Sequence, residues 1–162
     1  MRQYLLLLVV LLSACATTET QIVSARFSWS YDASTLARSA RAGGVSAHVI
    51  GNPTTLPAEE ARTRIAALVR LPSWAPTQPV RAVAGDRREG YRLVLGFDTL
   101  TGTLCAAGTS AESRPTPFAM RLNAAFCLGD GLLSEATAVA NGRPEIDSPG
   151  FAEAPDVTFS RL

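Results

Sequence analysis

Lysine is missing from this chain: all fifteen basic side chains are arginine, and His48 is the single histidine. Bases that could activate a Ser or Thr nucleophile are therefore scarce, and no glycine-rich phosphate loop can end in lysine. Neither a GxSxG elbow nor an HExxH motif occurs, and no second metal ligand is spaced to help His48. That histidine reads as a solvated or locally hydrogen-bonded strand residue. Apolar runs are short as well. The longest, Leu5 to Leu12, has eight residues, where a spanning helix needs about 20.

Acidic residues are present but do not converge. A carboxylate pair can hydrolyse a glycoside without histidine, yet Asp86, Glu89, Asp98 and Asp130 all fall at expected turns and strand ends, where Asp is used structurally. The segments Gly129-Asp130-Gly131 and Glu145-Ile146-Asp147-Ser148-Pro149-Gly150 lack calcium-loop spacing. No catalytic residue, metal site or cofactor is expected.

The apolar run at the start has a meaning of its own. Arg2 precedes it and Leu12-Ser13-Ala14-Cys15 closes it, which is the layout of a positive n-region and an h-region. The four closing residues resemble the lipobox of bacterial lipoprotein precursors. The resemblance covers residues 1 to 15 only. It implies a signal peptide over 1–14, a diacylglycerol thioether on Cys15, cleavage before that residue, and often acylation of the new amine. Two or more acyl chains hold a protein on a membrane durably. Ala16, in place of Asp, resembles the outer-membrane-sorted members, so the expected location is the periplasmic face of an outer membrane in a Gram-negative organism. Residues 15–24 read as the lipidated N-terminus and a tether, and 25–162 as a single domain of ordinary size.

Loss of the leader would remove Arg2 and leave fourteen arginines against fourteen carboxylates. Such a balance gives no long-range attraction to phosphate backbones, and nucleic acid is not an expected partner. With Cys15 acylated, Cys105 and Cys127 form an even pair in an oxidising compartment, and a disulfide between them is expected.

Within the domain, period-two patterns dominate. Ala25, Phe27 and Trp29 alternate with Arg26, Ser28 and Ser30 as a half-buried strand. Val45, Ala47 and Val49 alternate with Ser46, His48 and Ile50 in a strand ending at Gly51. A strand from Val80, a turn over Gly85 to Gly90 and a second strand follow. In the latter Tyr91, Leu93, Leu95 and Phe97 share a face, which marks it as central. Met120 to Leu128 and Leu133 to Ala140 form a hairpin across Gly129-Asp130-Gly131.

Two helices interrupt the strands. Asp32 caps a short one carrying Ala33, Leu36, Ala37 and Ala40 along one stripe. The clearer one follows Pro57, with Ala58, Ala61, Ile65 and Leu68 as its buried stripe, and Pro72 stops it. A further short helix is expected from Ala154 or Pro155 toward Arg161, with Phe151 and Phe159 docking separately. The fold class is α+β: an antiparallel sheet packed against one main helix.

The expected role is that of a membrane-anchored envelope lipoprotein, a non-enzymatic interaction or accessory subunit for an envelope protein partner. The alternative is a periplasmic small-molecule-binding protein or an atypical hydrolase. Candidate partner contacts are Glu59 and Arg62 on the main helix and Trp74 in the proline-rich segment 72–79. Trp74 either pins that segment to the core or presents itself for recognition.

Overall fold

Tyr91–Phe97, the strand with the densest apolar alternation, lies inside the sheet and is buried on both faces. The computed structural model describes residues 20–41, 44–85, 88–100, 104–107 and 113–159. Along the chain these form β1 (Thr20–Phe27), α1 (Ala33–Arg41), β2 (Val45–Ile50), α2 (Ala58–Leu68) and β3 (Val80–Ala82). They continue with β4 (Tyr91–Phe97), α3 (Leu104–Ala107), β5 (Ala119–Leu128), β6 (Gly131–Asn141) and α4 (Pro149–Phe159). The fold is α+β, with one six-stranded, mostly antiparallel sheet in the order β1-β6-β5-β4-β2-β3.

The sheet departs from simple antiparallel order at β2, which runs parallel to both β3 and β4 and separates them. The two strands flanking the 85–90 turn are thus not a hairpin. The cause is α2: a helix between β2 and β3 carries the chain back to its starting end, so the next strand arrives parallel. The β5–β6 hairpin is as expected, with Leu128 opposite Gly131. Gly129 sits at φ +57°, a left-handed position that favours glycine at the first place of a two-residue turn.

Alternation sorts the sheet's side chains into two cores. Val49, Leu95, Phe97, Leu122 and Phe126 face one side, where they meet Leu36 of α1, Ile65 of α2 and both Phe151 and Phe159 of α4. On the other side Ile50, Val94, Ala125 and Cys127 meet Leu104 and Cys105 of α3. Three helices therefore back the first face, where one main helix was expected, and a single short turn of helix covers part of the second. Close approach there depends on Gly96. A Cβ at that position would overlap Thr99 Oγ1 and come within 2.7 Å of Leu104.

Helix starts follow capping chemistry. Asp32 Oδ1 accepts from the Ser34 backbone N–H at 2.9 Å and its other oxygen from the Ser34 hydroxyl at 2.7 Å. These two bonds, with Arg38 as a smaller influence, hold the Asp32 carboxyl below its ordinary range. On α2 the buried residues are Ala61, Ile65 and Ala66, with Ala58 exposed. Ala61 and Ile65 hold their expected places, Leu68 is half-buried against the same core, and Ala66 joins them.

Two boundaries differ from the expected ones. β1 begins at Thr20, so residues 20–24, read above as tether, pair with β6. As the terminal strand of the sheet it is largely exposed, and Trp29 lies beyond it in the following turn. At the other end α4 begins at Pro149. The Ser148 hydroxyl and carbonyl both accept from the Phe151 N–H, at 3.3 and 3.1 Å. Ser-Pro at a helix start is a strong local signal, whereas Pro155 lies inside the helix. Phe151 and Phe159 consequently dock from one helix.

Candidate functional site

The best-organised polar cluster lies on the sheet face that α3 covers. Arg92, the second residue of an apolar strand, points there and is only 2% exposed. Its Nη1 donates to the carbonyls of Arg88 at 2.8 Å and Gly129 at 2.7 Å, and its Nη2 to the carbonyl of Cys105 at 2.7 Å. One planar guanidinium, rigid and always charged, thereby joins the segment before β4, the β5–β6 turn and α3. Cys105 and Cys127 form a disulfide with 5.7 Å between their Cα atoms, fastening α3 to β5 from the other direction. The cluster is a clamp: its donors and acceptors are directed at one another.

Further along the same face a buried polar line runs across three elements. Asn123 Nδ2 donates to the Thr99 carbonyl at 2.6 Å, and its Oδ1 accepts from the Thr137 hydroxyl at 2.8 Å. Asp98, a candidate acid on sequence grounds, has a structural task. It takes the left-handed φ of +53°, accepts from the Arg121 N–H at 3.0 Å and pairs with Arg143 at 2.9 Å. Asp130 sits in the hairpin turn, 3.5 Å from Arg88. Glu135 is buried against the exposed Arg26 at 2.6 Å. Asp86 lies outside the described residues.

A cleft opens where β2 ends and α2 begins. It encloses about 500 Å³ and is lined by His48, Gly51, Asn52, Arg62, Val83 and Gly85, among others. His48 is buried there, its Nδ1 at 3.0 Å from the Gly85 carbonyl, in keeping with a locally bonded strand histidine. Arg62 meets Glu59 at 3.0 Å on the helix surface. The first two candidate contacts are thus an i,i+3 pair, and one of them reaches the cleft. Among the described residues, no group of three or more His, Cys, Asp or Glu could hold a metal ion.

Trp74 is elsewhere. It is 49% exposed in a turn closed by the Ala75 N–H bonding to the Pro72 carbonyl at 2.8 Å. The groove beside it, formed by Pro72, Ala75, Pro76 and Pro79, does not include its ring. Trp74 is not among the residues that line the cleft reached by Arg62. Cys15 lies outside the described residues. No helix among those described is long and apolar enough to cross a membrane.

Two features escaped the sequence patterns. Arg92 carried a signal, since a charge flanked by Tyr91, Leu93, Val94 and Leu95 must either reach a sheet edge or be paired internally. Trp29 carried none: period two assigned it to a half-buried face, whereas β1 ends at Phe27 and leaves it in the turn beyond. No family model matches this chain, and no curated protein does. Among solved structures it is similar to a PelC dodecamer from Paraburkholderia phytofirmans, at 19% identity over 85% of this chain and 91% of that one, with a TM-score of 0.40.

Proposed function

We propose that this protein is a lipoprotein of the bacterial cell envelope, acylated on Cys15 and held at the periplasmic face of the outer membrane, where its α+β domain works through non-covalent contacts with an envelope partner. The observation that carries this reading is the Cys105–Cys127 bond. It engages both downstream thiols and belongs in an oxidising compartment. Of the three cysteines, Cys15 alone is left for acylation, and it stands at the end of the apolar leader. In support of a non-enzymatic role, ionisable side chains buried in the described domain bond internally: Arg92 to carbonyls, Asp98 to Arg143, Glu135 to Arg26 and His48 to the Gly85 carbonyl.

Cys15→Ser is the test of the anchor. In cells fed a labelled fatty acid, the wild-type protein is expected to carry label and a processed N-terminus. The variant should accumulate as a precursor without label, and label on the variant refutes the assignment. Capture of the acylated wild type from gently solubilised envelope is then expected to bring a partner with it.

The cleft at His48 favours a second reading, a small-molecule-binding protein. Its volume lies within the range of ligand pockets, and His48, Asn52 and Arg62 contribute polar groups to a lining that also includes Val49, Ile50 and Val83. Under this reading Arg62→Ala removes ligand-induced thermal stabilisation in a screen of small anionic metabolites. Under the first reading no such stabilisation is found, and the variant retains its partner.

A further inference from the structure

Among the described residues the most exposed large apolar side chain is Trp29, at 98%. Two more precede it closely, Val23 at 61% and Phe27 at 56%. All three belong to β1 or the turn after it, the part of the fold that follows Cys15 in sequence. Four residues lie between Cys15 and Thr20, and five extended Cα-to-Cα steps reach at most about 18 Å. If Cys15 carries acyl chains in a leaflet, the start of β1 is held within the depth of the headgroup region and its surroundings. β1 itself has eight residues, or about 26 Å at the usual rise.

The charges nearby have the sign that suits an anionic leaflet. Arg26 is paired with Glu135, and α1 with its cap carries Arg38 and Arg41 against Asp32, whereas the whole chain is near neutral. Both arginines of α1 are exposed. Aromatic rings interleaved with arginine at a surface are the composition of a membrane-interface contact, where an amphipathic indole sits at headgroup depth.

A protein strand added to the free edge of β1 would explain the same exposure less well. The register slips between Ile22 and Ser24, leaving Val23 in a bulge. Bulges and charged residues on an edge are devices that discourage strand addition. Trp29 also lies past the last paired residue, Phe27, opposite Ser134, so an added strand would satisfy backbone groups and leave the indole in water.

We propose that Val23, Phe27 and Trp29 make a second, side-chain contact with the lipid interface, so that β1 lies against the leaflet in which the acyl chains of Cys15 are embedded. The proposal rests on acylation of Cys15. It makes β1 and α1 the membrane-facing side and turns the cleft at His48 and the Trp74 segment toward other partners.

The test uses the acylated protein on vesicles of phosphatidylethanolamine and phosphatidylglycerol, with and without brominated acyl chains as quenchers. Tryptophan occurs twice, at 29 and 74, so the difference between wild type and Trp29→Phe isolates one indole at a site where the fold is untouched. The Trp29 component is expected to shift to the blue on vesicles and to lose emission with brominated lipid, while the Trp74 component does neither. Vesicle-bound protein in which Trp29 keeps its aqueous emission overturns this contact and leaves the anchor standing. A blue shift without bromine quenching also overturns it, in favour of a protein covering the strand. Protein that fails to float with vesicles and carries no acyl mass overturns the anchor and the contact together.

Discussion

Replacing Arg92 by leucine is expected to destabilise the domain by on the order of 4 kcal/mol, read as a fall in the urea midpoint at unchanged slope. The side chain is almost fully buried, and leucine removes three charge-assisted donors from the carbonyls of Arg88, Gly129 and Cys105. Hydrogen bonds to charged groups contribute about 1.5–3 kcal/mol each and do not add fully when they share one donor group. The leucine also fills less volume than the guanidinium stem it replaces. Arg92→Lys should fall between the two. An ammonium can bond one or two of the carbonyls, but it lacks the planar fork that reaches Cys105 on one side and Arg88 and Gly129 on the other. A loss below about 1 kcal/mol for Arg92→Leu would mean that water replaces the guanidinium at all three carbonyls.

What the sequence made legible follows from the range over which each physical signal acts. Side-chain alternation is local, so the division of β2, β4 and β5 into two faces was readable residue by residue, down to Val45, Ala47 and Val49 opposite Ser46, His48 and Ile50. Capping is local too, and Asp32 could be assigned its helix from its own neighbours. Strand order is not local. Nothing within Val80 to Phe97 says that β2 comes between the two strands there; only the helix Ala58–Leu68 between β2 and β3 implies a parallel return. Burial of the terminal strand was likewise beyond reach. Ala25, Phe27 and Trp29 have the same period as an interior strand, and what covers their face is decided by segments distant in sequence; among the described residues Phe27 and Trp29 stay exposed. The candidate contacts Glu59, Arg62 and Trp74 were chosen as surface residues. That Arg62 lines the cleft at His48 and Trp74 does not depends on where α2 ends and the proline-rich segment leads, a tertiary fact.

The disulfide was legible by counting, and its removal is the second large effect to expect. Cys105→Ala with Cys127→Ala opens a loop whose ends are 22 residues apart, for which the chain-entropy relation gives about 3 kcal/mol. The structure adds a reason why the effect should depend on its surroundings. The carbonyl of Cys105 is also the acceptor of Arg92 Nη2, so α3 is held to the sheet twice through one residue: covalently to β5 and electrostatically to β4. While the disulfide is intact, the guanidinium finds its acceptor already in place, and forming that bond orders little extra chain. Once the disulfide is gone, the same hydrogen bond must also hold α3 against its own entropy. The two losses should therefore be unequal to their sum. In a double-mutant cycle combining the cysteine pair with Arg92→Leu, the coupling is expected to be about 1 kcal/mol, with each change removing less once the other has been made. Additive losses in urea unfolding of the four proteins would show instead that α3 is positioned by the packing of Leu104 against Val94 and Ile50, with the bond and the guanidinium acting on it independently.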